Sequence, residues 1–206
     1  MSSERAIVVL DVGRVVLGLS MRSAMAEWRR RLGFRLATML LRLAGWDGVR
    51  RHEVGLIDGR GLHAEICERV GQELTFEDFV AGWNALLTGP LPGAVELVRE
   101  LAGRGEVHAL SNTNDLHRER FVSEWPELFA PLGHLACSHE LGCRKPEARI
   151  YDAFCEQVGA RPEQLIFFDD RPENVAAARD AGWQAEVATG PAAVRRALVR
   201  RRVLPG

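Results

Sequence analysis

This sequence has no apolar run approaching the roughly 20 residues that a membrane-spanning helix needs. No charge of one sign dominates it either: 27 Lys and Arg stand against 28 Asp and Glu, a formal net charge of -1. Bulk electrostatic attraction to nucleic acid or to an anionic membrane is therefore excluded, and any partner has to be argued from local groups. Cysteine is sparse, at Cys67, Cys137, Cys143 and Cys155, with neither CxxC spacing nor the density of a disulfide framework, which suits reduced thiols. Internal repeats and low-complexity segments are absent. Residues 1–5 lead into only about six apolar residues, too few for the apolar region of a signal peptide, so the expectation is a cytoplasmic protein.

What is present is a chain of 206 residues, 47% apolar, enough to bury one full core with an inserted subdomain. Residues 6–10 form a continuous, β-branched apolar run that ends at Asp11, the pattern of a central parallel strand buried on both faces. Residues 107–110 and 165–168 repeat it, ending at Ser111-Asn112 and Asp169-Asp170. Helical periodicity over 92–104, 147–158 and 172–181 alternates with these strands, which predicts a doubly wound α/β parallel sheet. Ligands of such sheets sit beyond the carboxyl ends of the strands, where Asp11, Ser111 and Asp169-Asp170 would gather. Residues 19–87 break the alternation, with helical segments at 20–32, 34–43, 62–70 and 76–87 and no convincing strand. They read as an inserted helical cap between the two parts of a core formed by residues 1–18 and 88–206. The turn residues Thr88-Gly89-Pro90-Leu91-Pro92-Gly93 mark the return to the core. The tryptophans Trp28, Trp46 and Trp83 of this cap are either core or interface, and a monomer and a homodimer are both expected states.

Each polar fragment has a plain reading by itself. Asp11 before Val12-Gly13-Arg14 is a turn or cap residue. Ser111-Asn112 is common turn chemistry that could also bond the oxygens of an anion. Arg144-Lys145 is a solvated basic pair, with Pro146 placed for the first turn of the next helix. Asp169-Asp170 caps the helix that Pro172 starts, or, as two adjacent acids that repel each other, holds a hard cation such as magnesium. Among the arginines, Arg29, Arg30, Arg31 and Arg35 either meet an anionic substrate or form a solvated face, and those of the C-terminal segment read as the solvated side of a last helix.

Taken together, Asp11 in VVLDVGRVV, Ser111 in HALSNTN, Lys145 in GCRKPEARIY and Asp169-Asp170 in FFDDRPENV resemble the four ordered motifs of haloacid dehalogenase superfamily hydrolases. The runs LSNTNDLH, EWPEL, LGCRKPEARIY and FFDDRPENV, with EVGLIDG in the cap, are similar to the bacterial α-D-glucose-1-phosphate phosphatase type. The resemblance implies that Asp11 attacks phosphorus to give an aspartyl-phosphate and also ligates Mg2+. It implies that Ser111 and Asn112 hold phosphoryl oxygens and that Lys145 neutralises charge on nucleophile and phosphoryl group. Asp170, helped by Asp169, would complete the metal site with the backbone carbonyl of Gly13. The implied partner is a small-molecule phosphate ester, with no nucleic acid and no membrane.

Two positions depart from the family pattern. Gly13 stands where many phosphatases of the superfamily carry a second Asp as general acid and base, a contribution of typically about 10²- to 10⁴-fold. Its absence favours esters with good leaving groups, including anomeric sugar phosphates. Arg14 occupies a place usually held by small or amide residues, and either binds a further anionic group of the substrate or blocks the site. His117 in NDLH is either a substitute acid or an ordinary helix-start histidine. Two competing functions are a 2-haloacid dehalogenase, which needs no proton donor for halide, and a phosphate-ligand-binding protein without catalysis.

Overall fold

The computed structural model describes residues 6–42 and 45–205. Residues 1–5 and Leu43, the last residue of an expected cap helix, lie outside that range.

The first strand, β1 (Ile7–Leu10), carries four consecutive buried residues. Side chains alternate along a strand, so Val8 and Leu10 enter one hydrophobic cluster while Ile7 and Val9 enter another on the opposite face. A strand apolar on both faces demands helices on both, and the chain supplies them. It continues through β2 (Leu17–Leu19), α1 (Met21–Arg42), α2 (Asp47–Glu53), α3 (Gly59–Val70), α4 (Phe76–Asn84) and β3 (Leu87–Pro90). The second part runs α5 (Ala94–Arg104), β4 (Val107–Ser111), α6 (Asp115–Glu124), α7 (Pro126–Phe129), β5 (His134–Cys137), α8 (Ser138–Leu141) and α9 (Ala148–Val158), ending with β6 (Leu165–Asp169), α10 (Pro172–Asp180), β7 (Gln184–Val187) and α11 (Pro191–Arg200).

Five parallel strands form the expected doubly wound sheet in the order β5-β4-β1-β6-β7. From β1 the chain works outward to β4 and β5, then returns to β6 on the other side of β1. The direction of winding therefore reverses between β1 and β6, and the crevice at their carboxyl ends is the natural ligand position. The edge strands β5 and β7 escape a search for continuous apolar runs because they are only partly buried.

Between β2 and β3 the structure departs from the sequence reading. Residues expected as turn form β3, which pairs antiparallel with β2 through Gly18 opposite Gly89. Gly89 has φ of +103°, open to glycine without strain, and a proline is tolerated at the end of a two-stranded ribbon. The helices between these strands build a core of their own around Trp28, Leu40, Leu62, Ile66 and Phe79, joined by Leu116 from α6. Gly33 (φ 80°, ψ 168°) breaks α1 at the junction expected between the segments 20–32 and 34–43. Asp58 and Thr75 cap α3 and α4 by accepting hydrogen bonds from Gly61 N at 2.7 Å and Asp78 N at 3.1 Å. Trp28 is core, donating Nε1–H to the Phe79 carbonyl at 3.1 Å. Arg30 and Arg31 pair with Glu27, and Arg31 also with Asp78, on the surface of this helical segment.

Trp28 packs so closely on α4 that a Cβ at Gly82 would lie 2.0 Å from its Cδ1. Alanine normally favours a helix over glycine by about 1 kcal/mol. Here overpacking of a rigid ring outweighs that gain, so Gly82→Ala lowers the free energy of unfolding by about 1 to 3 kcal/mol, read from the urea midpoint.

Candidate active site

The carboxyl ends of β1, β4 and β6 meet at one ammonium group. Lys145 follows the loop after α8, and its Nζ donates to Asp11 Oδ1, to the Leu110 carbonyl and to Asp169 Oδ2, each at 2.7 Å. Its side chain is 1% exposed. All three N–H groups of the ammonium are thus used on three different strands or strand ends. Pro146 does not open the following helix as expected: α9 begins at Ala148, and Pro146 lies in the turn before it.

Asn112 is responsible for that loop. Its side chain donates to the Lys145 carbonyl and accepts from the Lys145 N–H, both at 2.8 Å. The amide expected to bond a bound anion is therefore spent on the backbone of Lys145. The Ser111 hydroxyl, by contrast, has no hydrogen-bond partner among the described residues.

Asp169 is fully buried and its oxygens are also taken. Besides Lys145 it accepts from Asn174 Nδ2 at 2.9 and 3.0 Å and from the Arg171 N–H at 2.9 Å. Asn174, part of FFDDRPENV but given no role in the sequence reading, is the residue that holds it. Asp11, Asp169 and Asp170 bring carboxylate oxygens within 4.8 Å of one another. Lys145 is the one buried cation that touches them among the described residues, and with the exposed Arg14 3.7 Å from Asp170 the three carboxylates still outnumber the cations at the strand ends. Burial, with Asp169 adding to it against the pull of Lys145, pushes the Asp11 carboxyl up to about 6, and burial and Asp169 raise Asp170 too. On Lys145 burial works against the charge, but Asp11 and Asp169 outweigh it and hold the ammonium above its ordinary range.

Gly13 and Arg14 sit in the turn after β1. A Cβ at Gly13 would lie 2.9 Å from Leu19 Cδ1 and 4.0 Å from Asp11 Oδ2, so Leu19 occupies the space beside the position where the family's second acid projects. Arg14 has φ of 59°, held by its N–H to the Leu17 carbonyl at 2.7 Å and its carbonyl to the Gly190 N–H at 2.9 Å. Its side chain is 66% exposed and reaches 3.7 Å from Asp170 Oδ2, so it stands at the rim and does not plug the site.

A cavity of about 310 Å³ extends from Gly13, Ser111 and Asn112 into the helices of residues 21–84. Glu53, also missed from sequence, lines it and pairs with Arg144 at 2.8 Å. The start of α6 carries the helices above: Asp115 accepts from Gly59 N at 2.9 Å and pairs with His52, while Ser138 Oγ lies 2.6 Å from the Glu53 carbonyl. His117 belongs to this docking, not to proton transfer. Its Nε2 faces the Trp83 carbonyl at 3.1 Å, which only accepts, and its Nδ1 faces Asn114 Nδ2 at 3.2 Å, which only donates. Both ring nitrogens are committed, the neutral Nε2–H tautomer is fixed, and burial pushes the imidazole down to about 4.

A parallel sheet that gathers three carboxylates and a buried lysine at its switch point, with helices inserted above, defines a Rossmann-like α/β protein with a charged site at its strand ends. The sequence profile described as haloacid dehalogenase-like hydrolase matches residues 20–182, and the chain belongs to that family. It is 25% identical to Phosphatase MT3486 of Mycobacterium tuberculosis (strain CDC 1551 / Oshkosh) over 94% of this chain and 91% of that protein. It is 38% identical to the sesquiterpene phosphatase astK of Aspergillus oryzae (strain ATCC 42149 / RIB 40) over 42% of this chain and 44% of that one. A crystal structure of a haloacid dehalogenase family enzyme from Bacteroides thetaiotaomicron, in complex with magnesium and inorganic phosphate, shares the fold. Its TM-score is 0.80 at 24% identity, covering 90% of this chain and 94% of that one.

Lys145→Met leaves Asp11 and Asp169 buried without their counter-charge and lowers stability at pH 7 by about 3 to 5 kcal/mol, measured by urea unfolding. For His117 the folded pKa of about 4 lies below the ordinary 6.5. Its contribution to stability is therefore complete above pH 6.5 and is lost as the pH falls towards 4, about 3 kcal/mol in all. His117→Phe keeps a ring on Trp83, and its unfolding midpoint should change less steeply between pH 6.5 and 4 than that of the wild type.

Proposed function

We propose that this hydrolase is a phosphatase that removes phosphate from a small-molecule monoester through an aspartyl-phosphate on Asp11. The observation that carries it is the arrangement at Asp11: Lys145 holds Oδ1, while Oδ2 lies on the side of Gly13, a lining residue of the cavity. Oδ2 would form the new bond to phosphorus as the ester oxygen departs, and water would then attack phosphorus and release the carboxylate. Lys145 keeps the nucleophile oriented and offsets charge there. Ser111 Oγ and the main-chain N–H of Asn112 are assigned to the phosphoryl oxygens, and Arg14 to an anionic group at the rim.

The uncompensated charge of the carboxylates fits a divalent cation, assigned as Mg2+, with Asp11, Asp170 and the Gly13 carbonyl as its ligands and Asp169 in support. Bound there, it would neutralise carboxylate charge and polarise a phosphoryl oxygen. Phosphate transfer requires such positioning and electrostatic stabilisation more than bond-making side chains. The names of the M. tuberculosis and A. oryzae relatives agree with phosphatase activity. A halide-releasing hydrolase has no use for three clustered carboxylates, and neither that alternative nor a non-catalytic phosphate-binding role is favoured. The sugar-phosphate type rests on motif wording alone.

No carboxyl at position 13 serves the leaving oxygen or the attacking water. Release of phosphate from p-nitrophenyl phosphate should require magnesium, stop with chelator, and fall roughly 10³-fold or more in Asp11→Asn. Values of kcat/KM across aryl phosphates should rise with the acidity of the phenol, while rapid mixing should show a burst of p-nitrophenol as the phosphoenzyme accumulates. Unchanged turnover in Asp11→Asn would overturn the assignment.

A further inference from the structure

We infer that the cavity that opens beside the Asp11 site, at Gly13, Ser111 and Asn112, is a specificity pocket for an apolar leaving group, so that the substrate is the phosphate monoester of a hydrophobic alcohol or phenol and not of a sugar. This rests on the phosphatase reading of the same site. Beyond its polar end at Gly13, Ser111 and Asn112, the wall is built from side chains such as Leu19, Met21, Trp28, Phe79, Trp83 and Leu86. Most polar atoms along it are already paired within the protein, the hydroxyl of Thr113, next to the polar end, being the exception among the described residues. Trp28 Nε1–H is on the Phe79 carbonyl, Trp83 Nε1–H on Asn114 Oδ1, and both nitrogens of His117 on Trp83 and Asn114. The one carboxylate in the lining, Glu53, is paired with Arg144.

A sugar entering this space would find few groups for its hydroxyls, chiefly Glu53 and the hydroxyls of Ser111 and Thr113, and each hydroxyl buried without a partner would cost about a factor of ten in affinity. Three of the large hydrophobic side chains that remain partly exposed, Leu19 (37%), Met21 (46%) and Leu41 (39%), line this same cavity, and an apolar ligand would cover them. At about 310 Å³ the cavity stands at the lower end of the range for small-molecule pockets, with room for a bicyclic aromatic group. Leu19 reinforces the assignment, because it stands beside Gly13, where an acid would meet the leaving oxygen.

The test compares kcat/KM for 1-naphthyl phosphate, phenyl phosphate and α-glucose 1-phosphate with magnesium. The first two have leaving groups of similar acidity and differ in apolar size. A preference of about 30-fold or more for naphthyl over phenyl, with glucose 1-phosphate poorer still, is expected. Met21→Glu, at a half-exposed position, should cut the naphthyl-to-phenyl ratio about tenfold. Equal or better use of glucose 1-phosphate, or a ratio unmoved by Met21→Glu, would overturn the inference while leaving the phosphatase reading intact. If no ester is hydrolysed, the phosphatase reading fails. Calorimetric titration of the same protein with 1-naphthyl phosphate and glucose 1-phosphate then still decides the pocket: tighter binding of the naphthyl ester supports it, and equal or absent binding overturns it.

Discussion

The buried ammonium of Lys145 is the constraint on which the catalytic end of the sheet depends. A charge removed from water is tolerated only when partners replace its hydration, and here two carboxylates and a carbonyl do so at 2.7 Å. Those partners come from the ends of three adjacent strands, so the ion both ties the sheet together at its carboxyl edge and fixes one oxygen of Asp11. Asn112 and Asn174 extend the same logic outward, the first holding the backbone of Lys145 and the second the carboxylate of Asp169. A small network therefore converts the central position of β1, β4 and β6 into a charged site whose geometry follows from the hydrogen-bond capacity of each member.

The same end of the sheet supports the helices above it. The first turn of α6 offers Asn114, Asp115, Leu116 and His117 in succession, and each meets the inserted helices: two by hydrogen bonds to Trp83, one by bonds to α2 and α3, and one by entering their hydrophobic core. The β2–β3 ribbon supplies the covalent connection. Between this docking ledge and the strand ends lies the cavity, polar where it meets the charged network and apolar where it meets the helices. The division of its wall follows from its parentage: strand ends carry the unpaired polar chemistry, and the inserted helices contribute the inside of a hydrophobic core.

Much of the scaffold was legible in the chain itself. The runs ending at Asp11, Ser111 and Asp169 are central strands because only strands buried on both faces read as unbroken apolar stretches, and Gly33 separates two helical periods at the break the structure shows. Edge strands β5 and β7 and the ribbon strands β2 and β3 were not legible, because half-buried or glycine-containing strands carry no such signature. Of the candidate site, Asp11, Lys145 and Asp169 were readable by motif and do meet. Glu53 and Asn174 lie within the runs EVGLIDG and FFDDRPENV but were given no role, since a carboxylate on a cap helix and an amide in the first turn of a helix look like ordinary surface residues until the fold packs against them.

By itself the sequence determined which residues form the parallel sheet and which polar groups arrive at its carboxyl end, because hydrophobic periodicity and strand termini are local properties. Tertiary structure alone decided how those groups are used. Whether Asn112 binds an anion or a loop, whether His117 transfers a proton or anchors a helix, and whether Arg14 blocks or borders the site depend on partners tens of residues away. Burial and hydrogen-bond saturation settle such questions, and both are properties of the packed chain.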